Sequence, residues 1–386
     1  MEAITREEKI MSGENLTPIT RKEMFLAKAA GMDVETPEPI TREEIFLSKI
    51  KGGSGGGGGT GGDSGEEWIG DGKTHLWIKI AAEGRMDVPL YFKQTVANGV
   101  TIDWGDGSAT ETLSGTGKVK TTHTYAKIGE YVITLDVLDG CTLSFGWFNN
   151  HYCIMGYAPT GRERAYSGML KKAEVGSGVT SITGYAFSYC GSLESVMIPE
   201  GVTAIEEYAF RECCSLKKIT IPESVTSLGD GVFNRCYSLN NITIPEGVTS
   251  FDNNLFRECY SLASAMIPKI ATSIPIYYLS DCRSLIKIAI PNGVTSIASY
   301  AFYNCYSLVN VMVPEGVTVI DSNAFKNCGG MKFYDFTKHT AVPTLSDANA
   351  FGGIPSDCEI RVPAALYDEW ISATNWSTYA DKIVAV

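Results

Sequence analysis

Histidine is scarce in this 386-residue sequence: His75, His123, His151 and His339 are the only four, and none sits in a His-Glu-x-x-His or nucleophile-elbow context. No hydrolase triad can be assembled around them, so the chain is expected not to be an enzyme and to need no cofactor. Positive charge is short as well. Lys and Arg total 32 against 44 Asp and Glu, and the net charge of -12 repels a phosphate backbone and an anionic lipid surface alike. Nucleic acid is thereby excluded as a partner. No segment approaches the roughly 18 consecutive apolar residues of a membrane-spanning helix, and residues 1–30 lack the apolar stretch of a signal peptide. Neither membrane insertion nor Sec-type export is expected. What is present is a 44% apolar composition with 40 glycines, enough for a large core in more than one domain.

Residues 1–51 carry a short repeat. Pro18-Ile19-Thr20-Arg21-Lys22-Glu23-Met24-Phe25-Leu26 recurs 21 positions later as Pro39-Ile40-Thr41-Arg42-Glu43-Glu44-Ile45-Phe46-Leu47, and Ile4-Thr5-Arg6-Glu7-Glu8 is a partial third copy. Each copy places Thr three residues before Glu, the reciprocal cap that satisfies the first free N–H groups of a helix. Three short amphipathic helices are predicted. All fall below the roughly 12 to 15 residues at which a helix holds alone in water, so they order by docking through Met24, Phe25, Leu26, Ile45, Phe46 and Leu47. From Gly52 to Gly62, nine of eleven residues are glycine, which makes 52–65 a flexible tether. No strand precedes this run and no Gly-Lys-Ser/Thr ends it, so it is not a phosphate loop.

Over 66–140 the pattern alternates: Leu76, Ile78 and Ile80; Leu90 and Phe92; Val100 and Ile102; Ile133 and Leu135. Short strands with Gly and Asp turns predict a small β-sandwich. The turn Asp103-Trp104-Gly105-Asp106-Gly107-Ser108, followed by His123-Thr124-Tyr125 and Gly129-Glu130-Tyr131-Val132-Ile133-Thr134-Leu135, resembles the PKD family of immunoglobulin-like domains. That resemblance implies a spacer or binding module. Asp103 and Asp106 are weak calcium candidates, since Asp in such turns more often caps backbone N–H groups; no metal site is assigned.

A 23-residue period governs 170–336. Prolines fall at 199, 222, 245, 268, 291 and 314, and cysteines at 190, 213, 236, 259, 282, 305 and 328. Phe187, Phe210, Phe233, Phe256, Phe302 and Phe325 stand three residues before the Cys, with Leu279 in the remaining place. In Leu216-Lys217-Lys218-Ile219-Thr220-Ile221-Pro222, Leu216, Ile219 and Ile221 face inward while Lys218 and Thr220 alternate outward on a strand that Pro ends. Ser224–Leu228 supplies a second extended segment, and Gly231–Cys236 a turn of helix. These units resemble the BspA-like class of leucine-rich repeats, which implies a stacked solenoid used for recognition. The fold class expected is therefore mixed and mainly β: a leucine-rich-repeat solenoid of 23-residue coils, preceded by a PKD-like sandwich and short N-terminal helices. The aromatic-rich segment 141–169, with Phe145, Trp147, Phe148, Tyr152, Tyr157 and Tyr166, is expected to seal one end of the stack. At the other, 337–386 supplies a stretched last coil with Phe351 and Cys358, then a helix opened by Pro363.

The cysteine ladder is neither a zinc site nor a disulfide framework. Tetrahedral zinc needs ligands converging on one point, and identical positions of adjacent coils diverge along the stack. Parallel side chains at one register do not give the crossed dihedral of a disulfide. Free, buried thiols acting as small apolar residues are expected, with Cys141, Cys153, Cys214 and Cys358 left open. A thiol-rich chain without a secretion signal is expected to be made in a reducing cytoplasm.

Function is expected on the surface. Outward strand positions form two varying stripes, from which Lys218, Thr220, Asn241, Thr243, Met266, Lys287, Asn310 and Met312 are ligand-binding candidates. A second band beside the cysteines offers Arg235, Tyr237, Arg257, Tyr260, Arg283 and Tyr306, the residue types enriched at binding hot spots. The bland alternative is that these aromatics pack between coils. Docking repeats, tether, sandwich and solenoid describe an adaptor presenting a binding head. The Pro-Ile-Thr-Arg-x-Glu-x-Phe-Leu repeats before a Gly run resemble the beginnings of tail-associated proteins of phages and prophages from gut Firmicutes. That resemblance implies a tail-fibre or receptor-binding virion component: 1–51 docks a phage tail or baseplate protein, and the solenoid binds a host-surface protein or glycan. The alternative is a bacterial cell-surface adhesin of the BspA-like class. A homo-oligomer is left open.

Overall fold

The computed structural model describes residues 68–83, 86–146, 152–157 and 168–386. The expected docking helices, with Met24, Phe25, Leu26, Ile45, Phe46 and Leu47, and the tether lie outside the described residues, as do Trp147, Phe148 and Tyr166. Seven strands come first: β1 (Thr74–Ile80), β2 (Asp87–Gln94), β3 (Val100–Asp103), β4 (Glu111–Thr112), β5 (Gly117–Thr124), β6 (Gly129–Val137) and β7 (Leu143–Phe145). β5, β2 and β7 make one antiparallel sheet; β1, β6, β3 and β4 lie in the other. The alternation works as expected, with Leu76, Ile78, Leu90, Phe92, Val100, Ile102, Ile133 and Leu135 buried between them. Trp104 is buried too, and the Tyr125 hydroxyl donates to its carbonyl at 2.7 Å.

A small hairpin, β8 (Tyr152–Cys153) and β9 (Gly156–Tyr157), precedes β10 (Leu170–Glu174) and the solenoid strands β11 (Ser181–Ile182) and β12 (Ser195–Met197). The sandwich is joined directly to the solenoid. β1 pairs antiparallel with β10, and β10 pairs parallel with β12, so one six-stranded sheet crosses from sandwich to solenoid. The reason is the open edge: β10 unpaired would present a row of free N–H and C=O groups. Gly176 marks the close approach, since a Cβ there would meet the Gly72 carbonyl at 2.8 Å. Phe145 packs on Phe187 with centroids 5.5 Å apart, and Ile154 N–H donates to the Ala186 carbonyl at 2.8 Å, so part of 141–169 also covers this end.

Each coil joins its neighbour along three lines. On one face, single parallel bridges run Lys218 to Asn241 to Ser264 to Lys287 to Asn310. On a second, two-residue strands pair in parallel from Ser181–Ile182 to Ser250–Phe251 and again from Ser273–Ile274 to Thr344–Leu345. The third line runs through Gly231–Cys236, which is a run of tight turns and not the expected turn of helix. Gly231 and Arg235 have φ of 55° and 62°, which no right-handed helix permits. Alternate N–H groups are thereby freed to reach the next coil: Gly231 to Asn253 O at 2.9 Å, Phe233 to Leu255 O at 3.0 Å, Arg235 to Arg257 O at 2.8 Å. A helix would spend those donors on itself.

All eleven cysteines are free, and ten are buried. Six of the ladder thiols do more than fill space: Cys213, Cys236, Cys259, Cys282, Cys305 and Cys328 each donate to the carbonyl of the Phe or Leu 26 residues earlier, at 3.1 to 3.3 Å. The phenylalanines stack coil on coil, 5.3 Å from Phe187 to Phe210 and 5.0 Å from Phe302 to Phe325. Where Leu279 breaks the series, Tyr278 is buried beside it, edge-on to Phe256 at 5.8 Å, with its hydroxyl donated to Met266 O at 3.1 Å. At the far end a 3₁₀ turn (Ala364–Leu366) leads into α1 (Tyr367–Ser372), shorter than Pro363 and the following apolar residues suggest. Trp370 and Trp376, 4.6 Å apart, close over Phe336, Phe351 and His339, and the Trp376 indole donates to Pro343 O at 2.7 Å.

Two outcomes follow. With burial pushing the ladder thiols up, a thiol reagent should label one site, Cys214, in the native protein and the other ten only on unfolding. Burial also lowers the His339 pKa, against the Val317 and Phe336 carbonyls and the Glu315 and Asp335 carboxylates, which raise it. The unfolded chain then binds the proton more readily, so melting temperature should fall as pH drops below about 6.5 and level off above it. His339→Gln should flatten that dependence.

Candidate binding surface

The outward stripe is built by the alternation that buries its neighbours. Ile219, Ile221, Ile242, Ile244, Ile288 and Ile290 point into the core, so Lys218, Thr220, Asn241, Thr243, Lys287, Asn310 and Met312 stand exposed between them, and Met266 with them. Bridges between successive coils hold Lys218, Asn241, Ser264, Lys287 and Asn310 in one row. Ser264 donates to Asn241 Oδ1 at 2.9 Å. Lys218 and Lys287 form no ion pair among the described residues, unlike Lys217 with Glu194 at 3.9 Å.

The Arg and Tyr band is differently occupied. Arg235 spans three coils, its guanidinium 3.0 Å from Glu212 and 3.0 Å from Glu258. Tyr237 stacks on Tyr260 at 4.8 Å, and Arg283 lies over the Tyr260 ring at 4.3 Å. Arg257 covers Tyr277 at 4.6 Å, and Tyr277 in turn stacks on Tyr300 at 4.8 Å. Tyr306 is the member of this set that stays exposed without a stacked ring among the described residues. These groups therefore spend much of their surface on joining coils.

The calcium candidates are also engaged. Asp103 Oδ1 accepts from Gly105 N–H at 2.9 Å, and Asp106 Oδ1 accepts from Ser108 N–H at 3.0 Å. Hydrogen bonds from Ser108 and from the His123 ring, 2.8 Å away, hold the Asp106 carboxyl down at about 2. No group of three His, Cys, Asp or Glu positioned for a metal occurs among the described residues.

Sequence reasoning missed two extensions of the face. Lys172 of β10 continues the row onto the sandwich, its ammonium 3.9 Å over Trp68 and 4.5 Å over Trp77 of β1. Only the β1 to β10 pairing reveals this, because 95 residues separate Trp77 from Lys172. Ile286 and Val309 also stand exposed beside the row. Their 23-residue spacing was visible in the sequence, but alternation alone assigned no face to the residue that precedes the strand.

Residues 165–285, 203–332 and 272–349 match the family described as the BspA type leucine rich repeat region, in six copies. The solenoid is thus built of BspA-type repeats. Among solved structures the chain is similar to a leucine-rich-repeat protein of T. pallidum, with 27% identity over 42% of this chain and 77% of that one and a TM-score of 0.39. It is similar to a leucine-rich cell-surface protein of Faecalibacterium prausnitzii, with 27% identity, 46% and 63% coverage and a TM-score of 0.30. A Bacteroides ovatus leucine-rich-repeat protein shares 18% identity, with 70% and 79% coverage and a TM-score of 0.39. Comparison with curated proteins gives no match.

Arg235→Met should lower stability by about 1 to 2 kcal/mol, because Glu212 and Glu258 lose their shared counter-charge. Lys218→Ala and Lys287→Ala should stay within about 0.5 kcal/mol of the parent in the same denaturant titration.

Proposed function

We propose that this chain is a non-catalytic recognition protein of the bacterial cell surface, an adhesin of the BspA-like class that binds a host-surface protein or glycan through its strand face. One observation carries the reading. From coil to coil the interior positions keep Phe, Cys, Leu and Ile, while the outward row changes from the buried Ser195 through Lys218, Asn241, Ser264, Lys287 and Asn310. Inward identity is set by the stack, and outward identity is free to be set by a ligand. The parallel ladders hold that row rigid, which lowers the ordering cost of binding. No helix among the described residues is long and apolar enough to cross a membrane. We assign the sandwich to the PKD-like class on its Asp103-Trp104-Gly105-Asp106-Gly107 turn, with Trp104 buried and its carbonyl accepting from the Tyr125 hydroxyl.

A second reading rests on residues 1–51. Capped amphipathic repeats followed by a glycine tether favour attachment to a phage tail or baseplate protein, with the same strand face turned to the host receptor. Mass spectrometry of the washed envelope and of density-purified particles, both from an induced culture of the encoding strain, separates the two. Recovery in the envelope is expected. Recovery with the particles alone would replace the surface reading with the virion one, and deleting residues 1–51 should then release the protein from them.

A further inference from the structure

The strand face changes character along its length. Just before the row, the early coils carry Glu194, Lys217 and Asn240, while the later coils carry Ala263, Ile286 and Val309. Two residues beyond the row, the half-buried Met197 opens the series, and then Thr220 and Thr243 give way to Met266, Ala289 and Met312. Ile286 is 54% exposed, Met312 52%, Met266 44% and Val309 38%. These side chains sit on consecutive coils spaced about 4.8 Å apart, so they form one apolar patch instead of scattered single residues. Lys287 lies within it, exposed and without an ion pair among the described residues. Residues 263–266, 286–289 and 309–312 contain no carboxylate, and Asp335, beside Met312 on the next coil, is engaged by Thr337 N–H at 2.9 Å and the Thr337 hydroxyl at 2.6 Å.

We infer that the C-terminal half of the strand face docks a partner protein segment that combines aliphatic and acidic side chains, with Lys287 meeting the acid. This deepens the reading of the strand face as the contact surface and rests on it. Apolar side chains supply the desolvation, and a lone ammonium among them selects a carboxylate, because any other group would leave it unpaired when water leaves. A second copy of the chain is disfavoured: a two-fold contact centred on this patch would bring two Lys287 ammonium groups together with no carboxylate in 263–266, 286–289 or 309–312 to pair them. A glycan is a poorer fit, since sugars stack on aromatic rings and residues 263–266, 286–289 and 309–312 contain none.

The test immobilises the full chain and probes it with arrays of short synthetic peptides of three compositions: acidic with aliphatic, basic with aliphatic, and acidic with Ser and Gln. A glycan array is read in parallel. Variants I286S/M312S, K287E and, on the polar half, T220K/N241K are used after each is shown to melt as the parent does. Acidic aliphatic peptides should be retained above the other sets. I286S/M312S should reduce that binding roughly tenfold, and K287E should turn the preference toward the basic set. No excess of the acidic aliphatic set, or binding on the glycan array alone, would overturn the inference. Loss of binding only in T220K/N241K would overturn it while leaving the strand face as the contact surface, and no loss in any variant would remove both.

Discussion

The carbonyl of a core Phe in this solenoid accepts twice: from the Cys N–H three residues later and from the thiol 26 residues later, as Phe210 does from Cys213 at 3.1 Å and from Cys236 at 3.2 Å. Both lone pairs of a carbonyl sealed from water are thereby satisfied. Few other small side chains could replace Cys here. Ala would fill less space and donate nothing, and Ser would bring a shorter, more strongly hydrated hydroxyl into a dry stack. The 23-residue period brings each thiol to the same acceptor on the coil below, whereas over the longer step from Phe325 to Phe351 the rings still stack at 5.3 Å but Cys358 points its thiol at Glu359 O instead. A cysteine repeat that suggests metal or disulfide chemistry is thus a backbone-satisfaction device.

A stack held by bonds between neighbours has the difficulty that its first and last coils have one neighbour each. The two ends meet it differently. At the start, an antiparallel strand from a separate sandwich, β1, takes the free edge of β10, and the Glu174 carboxylate accepts from Ile69 N–H at 2.8 Å and Gly70 N–H at 2.7 Å, pinning the entering chain over the seam. At the finish, the Phe ladder runs from Phe325 to Phe351 at 5.3 Å and ends against Trp376 and Trp370. A polar pin and an aromatic lid serve one purpose.

The solenoid, its period, its inward columns and the sandwich strands were legible because each rests on a periodicity in the sequence: 23 for the coil and two for the strands. Tight turns in place of a helix were not, since the decisive fact is a left-handed backbone at Arg235, a residue type with no preference for it. The same conformation recurs at Glu212, Glu258, Asp281 and Asn304, so the position demands it whatever the side chain. Hydrogen bonds from both neighbouring coils compensate the strain. The candidate surface was half legible. Alternation placed Lys218, Asn241 and Lys287 outward, but whether an outward side chain is free depends on its lateral neighbours. Arg235 and Tyr260 lie beside complementary groups one coil away, Glu258 and Tyr237, whereas Lys287 has Ser264 and Asn310 for neighbours along its row.

That lateral dependence bears on how such a surface acquires a ligand. In a parallel ladder each outward residue touches the same position of the coils above and below, so a like pair stacks if aromatic, repels if charged, and pairs if opposite. Columns beside the turns have settled into such self-complementary rows: Glu212, Arg235, Glu258 in one place and Asp281, Asn304, Asn327 in another, the last joined at 2.8 and 2.9 Å. The row that contains Lys287 has not. Apart from the hydrogen bond from Ser264 to Asn241, its side chains form no such pairs among the described residues, which costs the fold inter-coil energy that the turn columns collect. A position that gives up stabilisation available to its neighbours is where recognition by a partner can be accommodated without unbalancing the stack.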